Sequence, residues 1–105
     1  MIIFAKACRK EVAALPEEIR GDLADALARL DAGLTLSLPL SRPMPVVGPG
    51  VHELRLKDRS GAYRVVYFHI QRDAVHVLHA FKKTTRGTSA RNLELARKRL
   101  KEVRS

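Results

Sequence analysis

Residues 51–70 read VHELRLKDRSGAYRVVYFHI. Two runs of largely apolar residues flank a Ser60-Gly61 turn, the pattern of a β-hairpin. In the first run, Val51 to Lys57, Leu54 and Leu56 fall on one face. Glu53, Arg55 and Lys57 fall on the other, because successive strand residues point to opposite sides. The second run, Tyr63 to Ile70, is almost wholly apolar or aromatic, which suits a central strand covered on both faces. Asp58 to Ala62 forms the turn between them. Three cations, Arg55, Lys57 and Arg64, therefore sit in or beside strands that need burial elsewhere.

Downstream, Gln71-Arg72-Asp73 reads as a tight polar turn and Ala74 to Phe81 as a third strand rich in Val and Leu. Lys82 to Gly87, KKTTRG, is a basic loop. Thr88 or Ser89 suits the cap of a last helix, with Leu93, Ala96, Leu100 and Val103 forming its apolar stripe. Upstream, Met1 to Phe4 is β-prone, and residues 6 to 32 read as a helical hairpin. Pro16 fits the first position of its second helix. Ile19, Leu23, Ala26, Leu27 and Leu30 make one stripe, and Gly33 is the stop. Residues 34–50, LTLSLPLSRPMPVVGPG, are too rich in Pro and Gly for regular structure, yet too apolar for a solvated linker. They read as a connector, packed in part on the surface and holding at most a short extended piece. The order is β-α-α-β-β-β-α, an α+β fold with a small antiparallel sheet.

The chain has 105 residues, the size of one domain spanning 1–105. No apolar run approaches the ~20 residues that span a bilayer, and MIIFAKACRK lacks the order of a signal peptide. Cys8, the one cysteine, has no partner for an internal disulfide. These features point to a cytoplasmic protein without membrane contact. Charge is the strongest compositional signal. Residues 1–50 hold 6 basic and 6 acidic residues, whereas residues 51–105 hold 14 basic and 5 acidic. The whole excess of +9 lies in the half that starts with the hairpin. Such a distribution fits a polyanionic partner, most simply nucleic acid; the alternative is a basic surface without a ligand.

Standard catalytic patterns are missing. The chain has no phosphate-binding glycine loop and no paired carboxylates. His76 and His79 form H-x-x-H, but three apart on a regular strand they point to opposite faces, so no metal site or cofactor is expected. His69 reads as a half-buried strand residue, and Cys8 as a small core filler. What remains is a set of cations. Arg55 and Lys57 share a strand face, Arg64 lies across the turn, and Lys82 and Lys83 end the third strand. An arginine fork matches two phosphate oxygens, and clustered cations stabilise the charge that builds on phosphorus during displacement by an RNA 2′-hydroxyl. For Lys57 and Arg59, near the turn, a merely solvated surface explains the charge equally well. Arg64 is harder to dismiss, because a charge beginning an apolar strand needs a partner or a purpose.

HELRLKDRSGAYRVVYF (residues 52–68), followed by VLHAFKKTT (residues 77–85), resembles the RelE/ParE superfamily of bacterial toxins. The similarity is strongest to its HigB-type, phage Gp49-like branch, with its ELR strand, its G-x-YR strand and its basic F-x-KKT segment. The resemblance implies a RelE-like fold with N-terminal helices on an antiparallel sheet. It implies a type II toxin that cuts messenger RNA on the ribosome and so stops translation. The partners would be ribosome and messenger RNA, and a cognate helix-turn-helix (HigA-like) antitoxin through which alone operator DNA is contacted. By position, Arg64 matches the arginine assigned to transition-state stabilisation, and Arg55 and Lys57 match an upstream basic pair. Lys82 and Lys83 match a late basic segment. His52, Arg59 and Arg86 border this set as candidate RNA contacts. Here one extra turn residue intervenes, and the first of the basic pair is Arg. The C-terminal tyrosine of RelE has no counterpart, which leaves the general base unassigned. Two other readings stand beside this one: a ParE-like gyrase inhibitor and a non-catalytic nucleic-acid binder.

Overall fold

The computed structural model describes residues 1–70, 73–84 and 86–104. The hairpin is formed by β3 (Val51–Asp58) and β4 (Gly61–Phe68), paired antiparallel in full register from Val51↔Phe68 to Asp58↔Gly61. Only Arg59 and Ser60 lie between the strands, so the turn is shorter than the expected Asp58–Ala62. Asp58 Oδ1 accepts the Ser60 amide at 2.8 Å and its hydroxyl at 2.6 Å. This local side-chain turn lets the ladder run to its end. Gly61 has φ 145°, a conformation that L residues avoid.

The sheet has five strands in the order β1-β5-β4-β3-β2. β5 (Val75–Lys82) pairs antiparallel with β4, and β1 (Ile2–Phe4) pairs parallel with β5. The sheet is therefore mixed, which corrects the antiparallel expectation. No hairpin turn ties β1 to β5, and the long connection leaves strand direction unconstrained. The Pro-rich connector holds the short extended piece expected of it, but that piece pairs as a strand and so corrects the element order. Ser41–Pro43 forms β2, antiparallel to β3, so the order is β-α-α-β-β-β-β-α. An edge strand tolerates Pro43 because one side of it makes no ladder bonds. The Ser41 hydroxyl and the Tyr67 hydroxyl lie 2.7 Å apart in a buried hydrogen bond that pins this strand. Met44 and Val47 are buried, as a packed connector requires. The turn expected at residues 71–73 falls largely outside the described residues, with Gln71 and Arg72.

The helices cover the two faces. α1 (Cys8–Ala13) is a short six-residue piece rather than a full arm of a hairpin. α2 (Glu17–Asp31) buries the expected stripe, Ile19, Leu23, Ala26, Leu27 and Leu30. Pro16 stands one position outside it, as the cap residue. Gly33, at φ 91°, ends the helix: its amide bonds the Leu30 carbonyl, and the Leu34 amide bonds the Arg29 carbonyl. These helices pack with Leu54, Leu56, Tyr63, Val65 and Tyr67. α3 (Ala90–Arg104) covers the other face over Val51, Val66, Phe68 and Leu78. Ser89 caps it, since its Oγ accepts the Asn92 amide at 3.3 Å. Leu54 is fully buried at the α2 face. Leu54→Ala is expected to cost about 3 kcal/mol through lost burial and an unfilled cavity, read as a lower denaturant midpoint at constant slope.

A bulge shifts the β4–β5 register between Val66 and Tyr67, so that Val66 pairs with His79 and Tyr67 with Val77. The extra residue, Leu78, breaks the alternation. His76 and His79 therefore lie on the same face, not on opposite ones, with His76 beside Phe68 and His79 bonded to Asn92 of α3. Both ring nitrogens of His79 are occupied, Nδ1 by Glu11 and Nε2 by Asn92.

Candidate functional site

The face under α3 changes character along the hairpin. At the Val51/Phe68 end it is apolar and covered by α3. At the turn end it carries Arg55, Lys57 and Arg64, beyond the reach of the helix. Arg55 and Arg64 are direct cross-strand partners. Like charges placed directly opposite each other destabilise a sheet. Arg55 and Lys57 are exposed, whereas Arg64 is 7% exposed. These three side chains line one cleft of about 390 Å³ with Pro39, Leu40, Leu56 and Ala62. An adjoining hollow shares Arg55 and Lys57 and reaches Asp22, Asp25 and Arg29 on α2.

Arg64 has a partner that the sequence reading did not assign. Glu53 is 2% exposed, and its Oε1 lies 3.6 Å from Arg64 Nε. Its Oε2 accepts the Thr88 hydroxyl at 2.6 Å. Arg64 Nη1 donates to the Tyr63 carbonyl at 3.1 Å. Burial lowers the Arg64 pKa, Glu53 opposes that, and Arg55 and Arg42 add to the lowering. The group stays a cation, as guanidinium does in proteins. One signal for Glu53 was available: it is the single acid on the alternating face that also holds Arg55 and Lys57. It was assigned no role because the sequence does not show where α3 ends its cover.

The other candidates are dispersed. Lys82 pairs with Tyr63, whose ring packs toward α1 and α2, and Lys82 Nζ lies 6.0 Å from that ring's centroid. It is thus on the face opposite Arg64. Lys83 follows in register, its amide bonding the Ala62 carbonyl, and the alternation returns it to the Arg64 side. Arg59 is exposed at the hairpin turn and Arg86 in the loop before α3. His52 is remote, stacked on Tyr67 at 5.4 Å. It lines a separate cavity of about 550 Å³ on the α2 side. Its Nδ1 is buried without a hydrogen-bond partner among the described residues, and burial lowers its pKa. Cys8 is fully buried, and burial first, then the Glu11 charge, pushes its thiol up to about 12. It is inert packing, not a nucleophile.

No group of three or more candidate metal-binding side chains occurs among the described residues. No helix among them is long and apolar enough to cross a membrane.

Fold and site together define a small, basic α+β protein whose hairpin end forms a cationic cleft. More narrowly, the chain belongs to the family described as Phage derived protein Gp49-like (DUF891), which it matches over residues 10–101. That match contains the whole hairpin, every cleft residue, Glu53 and Thr88. It agrees with the resemblance read from the ELR, YR and KKT segments, and the family is consistent with a toxin of a toxin–antitoxin pair. Comparison with curated proteins found no match.

Proposed function

We propose that the protein is the toxin of a type II toxin–antitoxin pair and acts as a ribosome-dependent messenger RNA endonuclease. The observation that carries this reading is the Arg55–Arg64 pair. Two like charges face each other across a hairpin, one nearly buried, at a cleft that Lys57 also lines. A phosphate seated there turns mutual repulsion into attraction to one anion and meets a fork of matched geometry. The same groups stabilise the dianionic phosphorane formed when the 2′-hydroxyl attacks. Arg64 would touch the scissile phosphate, with Arg55 and Lys57 holding its neighbours. Lys83, Arg59 and Arg86 would extend the grip on the strand, while Lys82 and His52 lie outside this cleft. Among the described residues neither a histidine nor a carboxylate lines the cleft, which fits an enzyme that borrows alignment of its substrate from the ribosome. An antitoxin would silence it by covering the cleft or keeping it from the ribosome.

The test is a cell-free translation reaction with purified protein and a defined messenger, its new ends mapped with and without ribosomes. Codon-spaced cuts that require ribosomes are expected, with free RNA cleaved at least a hundredfold more slowly, on the order of what substrate alignment supplies. Rapid cutting of naked RNA contradicts the ribosome requirement. An intact messenger together with inhibited gyrase supercoiling replaces the nuclease reading with that of a gyrase inhibitor.

A further inference from the structure

We infer that Glu53 and Thr88 form a bracket that positions Arg64 for the scissile phosphate, coupling the loop before α3 to the cleft. The inference rests on the nuclease reading, because it assigns Arg64 a phosphate to meet. Glu53 is nearly inaccessible, at 2% exposure. A carboxylate is placed there only if it is paired and hydrogen-bonded. Both its oxygens are engaged, one toward Arg64 Nε at 3.6 Å and one by Thr88 Oγ1 at 2.6 Å.

The geometry of the first contact is the informative part. A stability-driven Arg–Glu pair closes as a bidentate fork at 2.7–2.9 Å. Here Glu53 faces Nε at ion-pair rather than hydrogen-bond distance. Nη1 is anchored to the Tyr63 carbonyl, and Nη2 has no hydrogen-bond partner among the described residues. The guanidinium is thus held at its base and along one edge, with donors left over for a second anion. Glu53 sets where the group stands without consuming its fork. Thr88 in turn fixes Glu53, since its hydroxyl donates to the oxygen that Arg64 does not face. Thr88 sits one residue ahead of Ser89, the cap of α3, so the start of that helix ties the loop to the site. Glu53 and Thr88 are positioning residues: neither needs to touch RNA.

The experiment measures single-turnover cleavage on programmed ribosomes as a function of protein concentration. It separates the limiting rate from the concentration giving half of it. Glu53→Gln keeps the shape and the Thr88 bond but removes the charge facing Arg64. It is expected to lower the limiting rate about 100-fold, as a misplaced reacting group does, with the half-saturating concentration unchanged. Glu53→Gln risks instability, so Thr88→Val serves as the second variant. It is isosteric at a half-buried site and is expected to lower the limiting rate about tenfold, with Thr88→Ser restoring it.

A second readout is independent of cleavage. The Arg64 Nε–H resonance, assigned by its loss in Arg64→Lys, should exchange slowly with water in the wild type and faster in Glu53→Gln and Thr88→Val. Folded Glu53→Gln and Thr88→Val proteins with the wild-type limiting rate overturn the proposal. If the wild type cuts nothing, the nuclease reading fails, and exchange alone decides the bracket. Unchanged Nε–H exchange in both variants then overturns it.

Discussion

Arg64→Ala is expected to abolish ribosome-dependent cleavage, a loss of about 1,000-fold or more. Removing one fixed donor from a developing oxyanion costs roughly 10²–10³, and here the donor is also a full charge with N–H donors left over for a second anion. The same change acts on stability. It leaves the Glu53 carboxylate, 2% exposed, without its cation. Breaking a buried pair from one side costs about 3 kcal/mol, on the order of 15 °C in melting temperature for a chain of this size. An inactive Arg64→Ala is therefore ambiguous by itself, because it could be dead through unfolding.

Two further variants remove the ambiguity. Arg64→Lys keeps a cation opposite Glu53 but loses the planar fork, so it should remain folded and still lose most activity. Arg64→Met combined with Glu53→Leu replaces the pair by apolar side chains, which is often neutral or stabilising. That double variant should melt near the wild type and cleave nothing. Melting curves and cleavage rates on the four proteins, wild type included, separate the two roles. A stable double variant that still cuts messenger would show that Arg64 is only half of a structural ion pair.

Much of the architecture can be read from residues whose periodicity has one physical solution. The α2 stripe from Ile19 to Leu30 and the alternation of Leu54 and Leu56 need burial on one side, and both find it. The departures arise where local pattern leaves freedom. Ser41–Pro43 is too short and too Pro-rich to signal a strand, and its pairing is decided by the exposed edge of β3. The parallel direction of β1 is a long-range property with no local signature. The bulge at Leu78 leaves no mark in composition, yet it reverses the facing of His79 relative to His76. For the candidate site, the cations on β3 and β4 were legible because Arg55, Lys57 and Arg64 interrupt apolar strands. Glu53 was not, since its burial depends on how far α3 and its leading loop extend over the sheet. Lys82 was placed by sequence proximity to Lys83, and strand alternation separates the two.

Arg99→Ala, away from the cleft, is expected to cost about 3 kcal/mol. β1 is only three residues long, so β5 has a bare edge beyond Val77. Buried edge groups must find other partners. The Ala80 amide donates to Glu11 Oε1 at 3.1 Å, and Arg99 Nη1 donates to the Leu78 carbonyl at 2.9 Å. Arg99 also donates to Glu11 Oε1 at 2.6 Å, and His79 Nδ1 lies 2.9 Å from the same oxygen. One carboxylate and one guanidinium thereby finish the sheet edge and join α1, β5 and α3. Without Arg99, both Glu11 and the Leu78 carbonyl lose a charged donor at once. Equilibrium urea unfolding measures the loss, and a change under 1 kcal/mol would show that this network is dispensable. The pH dependence gives an independent check. Burial pushes the Glu11 carboxyl up, but Arg99, His79 and the Ala80 amide outweigh it and hold the group below its ordinary value of 4.5. A folded-state pKa below the unfolded one means that the unfolded chain binds the proton more readily in that range. The stabilisation is therefore complete above about pH 4.5 and is lost as pH falls through the folded value. Glu11→Gln removes this contribution, so its stability should be lower than the wild type's at neutral pH and fall less steeply in acid. Asp58, held low by the Ser60 hydroxyl, titrates in both proteins and cancels in the difference. Parallel stability–pH curves for the two proteins below pH 4.5 would mean that the Glu11 contacts do not stabilise its charged form.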